Sequence, residues 1–190
     1  MTLYLKSRLH PSEGSLFLCL LIALVLVGER GVQLPSFIGD LSDDTPIIAI
    51  LSVALSTILI WSLSGGLPDL ESASTRRVKV LDILLIITIV AVISLITLAL
   101  SSGTAAVTAT RCLLGFCGSA LAAAYFSFRM GLLIPPVFFI VSTLVGPQQD
   151  GSVAFWAFPI AEPSSVAQHI IAGTLFVAGS ITWLRFGEPE

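Results

Sequence analysis

Between Ile83 and Gly103 the chain reads ILLIITIVAVISLITLALSSG, without a single charged residue. Such a run matches the roughly 30 Å hydrocarbon core of a bilayer, which about 20 apolar helical residues cross. Five further runs share its character: SLFLCLLIALVLVG (Ser15–Gly28), TPIIAILSVALSTILIWSL (Thr45–Leu63), CLLGFCGSALAAAYFSF (Cys112–Phe128), MGLLIPPVFFIVSTLVG (Met130–Gly146) and VAQHIIAGTLFVAGSITWL (Val166–Leu184). None alternates as barrel strands do, and a backbone in lipid must satisfy its own hydrogen bonds, so each run reads as a helix. The fold class is therefore an all-α integral membrane protein with six transmembrane helices, over residues 15–34, 45–63, 82–103, 109–128, 130–146 and 166–184. Of the 190 residues only 11% are charged, against roughly 25% in a soluble domain, and the chain reads as one transmembrane domain.

The first run follows Lys6 and Arg8 as a signal-peptide core would, yet no small-x-small cleavage site follows it. It is read as a retained span continuing past Glu29 and Arg30. Orientation follows from Lys and Arg in alternate loops. With the N-terminus inside, Lys6, Arg8, Arg76, Arg77, Lys79, Arg129 and Arg185 are cytoplasmic, and only Arg30 and Arg111 lie outside. Both termini are thus expected in the cytoplasm, with the bacterial plasma membrane as the location.

Three segments lie between or before the spans. Residues 1–14 mix Leu3, Tyr4 and Leu5 with Lys6 and Arg8, which suits a short interfacial helix or a frayed leader. Residues 147–165 carry Phe155, Trp156 and Phe158, and aromatic rings of this kind settle at the outer interface. Residues 65–80 form a charged cytoplasmic island, whose GLPDLE combines a turn with two leucines and two acids. A two-turn helix lying across the inner surface fits this length, with Leu67 and Leu70 free to dock into a partner, and a solvated linker fits it too. The adjacent Pro135 and Pro136 predict a kink in the fifth helix, and Arg129 alone separates it from the fourth.

Several chemistries lose their usual signatures. No phosphate-binding G-x-x-x-x-G-K-[ST] loop exists, so the chain is not expected to hydrolyse nucleotide itself. No H-E-x-x-H, C-x-x-C or carboxylate pair within a span offers a metal site or acid–base catalysis. The net charge is -3 and the nine basic residues form no long cluster, which disfavours nucleic acid. Cys19, Cys112 and Cys117 all sit in apolar runs as small hydrophobes.

Four residues of the fourth span, Gly115, Gly118, Ala122 and Ala123, are spaced as a small-residue face that lets another helix approach closely. Two ionisable residues could make a polar or pathway contact: Arg111, near the outer end of that span and able to snorkel or reach Asp40, Asp43 or Asp44, and His169 in the sixth. Asp82 belongs at the opposite face, explained by snorkelling or by pairing with Arg76, Arg77 or Lys79. GFCGSALAAA together with AQHIIAG resembles the layout of rhomboid intramembrane proteases, which place a G-x-S-G serine in the fourth span and a histidine in the sixth. Here Cys117 stands at the nucleophile position with Ser119 two places later, and the second span lacks that family's histidine and asparagine.

WSLSGGLPDLESASTRRVKVLD and ATRCLLGFCGSALAAAYFS, set in this six-span layout, resemble small actinobacterial permease subunits of type-2 ATP-binding-cassette exporters. The resemblance implies that Leu67, Pro68, Asp69, Leu70 and Glu71 form a coupling contact with an ATPase subunit. Lys6 and Arg8 would lie on the interfacial helix. It also implies a second copy or a related permease chain, ATP and Mg on the partner rather than a cofactor here, and outward movement of an amphiphilic, lipid-like or peptide cargo. Two rivals accompany it: an accessory or immunity membrane protein in a larger complex, and an intramembrane enzyme of rhomboid-like layout.

Overall fold

The computed structural model describes residues 11–27, 30–33, 44–63, 68–148 and 152–186. Its elements in chain order are α1 (Pro11–Val27), β1 (Gly31–Gln33), β2 (Asp44–Pro46), α2 (Ile47–Leu63), α3 (Pro68–Leu100), α4 (Gly103–Ala124), α5 (Phe128–Val145) and α6 (Val166–Phe186). Helices dominate, as the charge-free runs require. Four of them contain stretches long and apolar enough to cross a membrane: Lys79–Leu100, Gly103–Ala124, Phe128–Val145 and Val166–Arg185. Ser15–Leu26 and Ile47–Leu63 are shorter apolar helices.

Two expectations about the first half are corrected. The first helix ends at Val27 instead of running to residue 34, and Gly31–Gln33 pairs antiparallel with Asp44–Pro46 in a two-stranded ribbon. Glycine lowers helix stability by about 1 kcal/mol, so Gly28 and Gly31 together favour this exit. The island does not make a separate helix. Pro68 begins a single helix that runs unbroken to Leu100, so Pro68, Asp69, Leu70 and Glu71 are the first turn of α3 itself. The physical reason is plain in the residues: proline suits the first helical position, and no glycine or proline follows it before Gly103. Leu67 and the interfacial segment 1–10 lie outside the described residues.

The centre of the bundle is α4, largely buried and in contact with α2, α3, α5 and α6. Ser102 caps its start by accepting from the Ala105 N–H at 3.2 Å, and the Ser94 and Thr110 hydroxyls meet at 2.6 Å across the α3–α4 hairpin. At the other end a turn at Tyr125–Ser127 leads into α5, where a Cβ on Gly131 would lie 2.9 Å from the Ala120 carbonyl oxygen. Arg129 therefore falls inside the first turn of α5, and α5 continues through Pro135 and Pro136. The remaining helix, α6, packs its backbone directly on α4. A Cβ on Gly118 would overlap the backbone of Leu175 and Phe176, and one on Gly179 would overlap the Gly118 carbonyl. Close approach of this kind is how helices gain van der Waals contact where burial from water cannot drive them together.

Most hydroxyls inside the bundle are satisfied locally. Ser52, Thr97 and Thr110, for example, each donate to the carbonyl four residues back at 2.7 Å, the usual arrangement for Ser and Thr in an apolar helix. The outward faces remain apolar, with Leu84, Leu95, Leu98, Leu133, Ile140 and Ile170 exposed.

Candidate functional site

The described residues between α5 and α6 form no helix, and part of the segment folds into the bundle. Its sequence, AFPIAEPSS from residue 157, explains the first fact: Pro159 has no N–H to give, and Pro163 holds Glu162 out of the helical region. Short turns use the available donors, with Ala157 N–H reaching Ala154 O at 2.9 Å, Phe158 N–H reaching Trp156 O at 2.9 Å and Ser165 N–H reaching Glu162 O at 3.1 Å. Pro147 and Val153 form an isolated antiparallel bridge at the entry. The carbonyls of Pro159, Ala161 and Glu162 face α4, the last of them shared with the Ser165 turn.

Buried carbonyls need donors, and α4 supplies them from two adjacent side chains. Arg111 donates through Nη2 to Ala161 O at 2.5 Å and through Nη1 to Glu162 O at 2.7 Å. Cys112 makes a longer contact from Sγ to Pro159 O at 3.8 Å. Arg111 is only 1% exposed, so it neither snorkels nor sits at the end of its helix as the sequence suggested. It lies eight residues after Gly103, about 12 Å into α4 at a rise of about 1.5 Å per residue. Its Nε is buried without an acceptor. The Glu162 carboxylate is turned away, accepting instead from the Ser164 hydroxyl at 3.3 Å.

The same segment is also held by packing. Phe158 is fully buried, with its ring stacked on Phe138 at 5.1 Å and tilted against Phe116 at 5.4 Å. Ala49 of α2 and Ala172 of α6 complete this cluster. A Cβ on Gly115 would overlap the Phe158 ring, so the glycine is the notch that receives it. The aromatic expected at an interface is thus a core residue joining four helices. Phe155, by contrast, is 71% exposed.

The other residues singled out by sequence distribute as follows. Gly118 meets α6, Gly115 receives a ring instead of a helix, and Ala122 and Ala123 are half-buried beside these contacts. His169 keeps its Nδ1 2.6 Å from the carbonyl of Ser165, the residue just before α6, and its Nε2 is buried without a partner among the described residues. Cys117 belongs to the main apolar cluster, and the Ser119 hydroxyl donates to Phe116 O at 3.0 Å. Among the described residues no hydrogen bond joins His169 to either, so the nucleophile–base contact that covalent catalysis uses is not assembled. Asp82 is buried at 1% exposure and engaged, which goes against snorkelling and agrees with the alternative that it is paired. No group of three His, Cys, Asp or Glu residues able to hold a metal occurs among the described residues.

Sequence reasoning found Arg111 but not its partners. The signal for them was the Pro159 and Pro163 pair, which forces unpaired carbonyls near an arginine of a neighbouring helix. Comparison of the chain with protein-family models, with curated proteins and with solved structures finds no match.

Proposed function

We propose that this chain is the membrane-spanning subunit of a bacterial ATP-binding-cassette exporter, with six membrane segments and both termini on the cytoplasmic side. The observation that carries the reading is the Arg111-tied segment. Irregular backbone at membrane depth is tolerated where it is buried in protein or lines a cavity, and an element held by one charged side chain and one docked ring can adopt a second packing. Transport requires two packings of one structure; a passive anchor does not.

The orientation draws support from the packing of the helices. α4 and α6 run in the same direction, since Arg111 meets the residues just before α6 and Gly118 meets its middle. Lys79, Arg129 and Arg185 then gather at one end of the bundle, opposite the Arg111-tied segment, as the positive-inside tendency favours. α3 extends from Pro68 to Lys79 before its apolar stretch begins. An ATPase docked at Leu67–Glu71 would act on a helix continuous with the span, so its displacement would travel along one rigid element. ATP and Mg belong to that partner, a second copy or related chain completes the pathway, and the cargo is amphiphilic.

An accessory or immunity subunit is the second reading, favoured by the filled interior at Ala49, Phe116 and Phe158. Pull-down of the chain from its native membrane in mild detergent separates the two. A stoichiometric ATPase supports the exporter; other membrane subunits without one support the accessory role.

A further inference from the structure

The guanidinium of Arg111 is buried among apolar helices, and no carboxylate among the described residues balances its charge. Both of its hydrogen bonds end on neutral carbonyl oxygens, its Nε has no acceptor, and no carboxylate among the described residues forms an ion pair with it. Fixing a backbone segment does not require a full charge. A neutral amide would supply donors at a smaller desolvation cost, because burying an ion without its counter-ion is far more expensive than burying a polar group. The acid of the segment itself, Glu162, gives Arg111 its carbonyl and leaves its carboxylate on Ser164.

The segment resembles a ligand in shape. Two oxygens, from Ala161 and Glu162, meet the planar fork of the guanidinium, as the two oxygens of a carboxylate or phosphate would. Next to them one apolar group, the Phe158 ring, fills a notch made by Gly115 and walled by Phe116, Phe138, Ala49 and Ala172. Head and body lie side by side along the same face of α4, because Arg111 and Gly115 are one helical turn apart.

We propose that the Arg111–Gly115 face of α4 is a binding site for an anionic amphiphile, and that residues 157–162 occupy it as a built-in pseudo-ligand. The incoming head group takes the two guanidinium N–H groups and the vacant Nε donor. Its apolar chain takes the Phe158 notch, and the displaced segment moves toward water. The charge that no described carboxylate balances in the closed packing is neutralised in the liganded one, which gives the ligand its differential affinity for the open state. Calling the ligand cargo rests on the exporter reading; the binding itself does not, and it is tested without any ATPase.

The test uses the full chain with Cys19, Cys112 and Cys117 replaced by alanine and Ala161→Cys as reporter, reconstituted in phosphatidylcholine vesicles. Labelling by a membrane-impermeant thiol reagent is followed with dodecyl phosphate, inorganic phosphate or dodecanol added. Dodecyl phosphate should accelerate labelling by about tenfold, within the range of ordinary coupling energies, while head alone and tail alone should not. Arg111→Gln should abolish the response and Arg111→Lys should keep part of it. Equal acceleration by dodecanol, or a full response in Arg111→Gln, overturns the proposal, and so does a rate indifferent to all three. Should the Arg111 variants fail to fold, Phe158→Ala decides. Weakening the pseudo-ligand should lower the dodecyl phosphate concentration for half-maximal labelling, and an unchanged concentration refutes competition. A negative result here leaves the exporter reading to the pull-down, and absence of an ATPase there leaves this site standing.

Discussion

The ring of Phe158 occupies the space that a side chain at position 115 would fill, so that Gly115 of α4 and Phe158 of the α5–α6 connection are one fitted pair. Gly115→Ala should therefore destabilise the detergent-solubilised protein by about 1–3 kcal/mol through overpacking. Phe158→Ala should cost about 3–5 kcal/mol through the cavity it opens. In the double variant the alanine at 115 should cost little, because the ring it collides with is gone. Thermal unfolding of the four proteins measures this cycle, and strict additivity would show that the two positions do not touch.

Arg111 supplies donors to the buried Ala161 carbonyl and, alongside the Ser165 N–H, to the Glu162 carbonyl. Arg111→Ala should lower stability by about 1–3 kcal/mol for each carbonyl left unmatched. Arg111→Lys should recover only part of this, since an ammonium lacks the planar fork. The order Arg, Lys, Ala in unfolding midpoint is the expected outcome of a thermal scan.

Two glycines of α6 should behave oppositely. A side chain at Gly179 meets the Gly118 backbone, whereas one at Gly173 meets nothing within 4 Å. Gly179→Val should separate α6 from α4 and abolish a monodisperse peak in size-exclusion chromatography. Gly173→Val should stay within about 0.5 kcal/mol of the parent, as surface substitutions do.

The helix directions and the positive-inside count predict sidedness. Ser152 and Phe126 are both exposed and lie at opposite ends of α5. In intact cells carrying single cysteines, Ser152→Cys should react with an impermeant thiol reagent and Phe126→Cys only after permeabilisation. The reverse pattern would invert the topology.

The helices were legible because a charge-free run of about 20 residues has few folded alternatives. Apolarity defines a span but not a helix end, which is why the polar start of α3 at Pro68 went unseen as part of the same helix. The residues from Pro68 onward contain nothing that stops a helix, and a reading based on breakers instead of charge would have found the continuity. Arg111 stood out as a charge in an apolar run, but its partners are main-chain carbonyls, which carry no residue identity. Phe158 could not be told from Phe155 by type or position. One is buried and the other exposed because only Phe158 faces a glycine across the bundle, a tertiary match that local pattern does not encode.

The central claim is that residues 157–162 are folded into the helical bundle and held there by Arg111. Its most direct test compares single cysteines at Ser152 and Ala161 in sealed, ligand-free vesicles, using an impermeant thiol reagent with Arg111 intact and with Arg111→Ala, which removes every donor. The account predicts rapid labelling at 152 in both, protection at 161 with Arg111 present, and loss of that protection in Arg111→Ala. Labelling at 161 as fast as at 152 with Arg111 intact would contradict it.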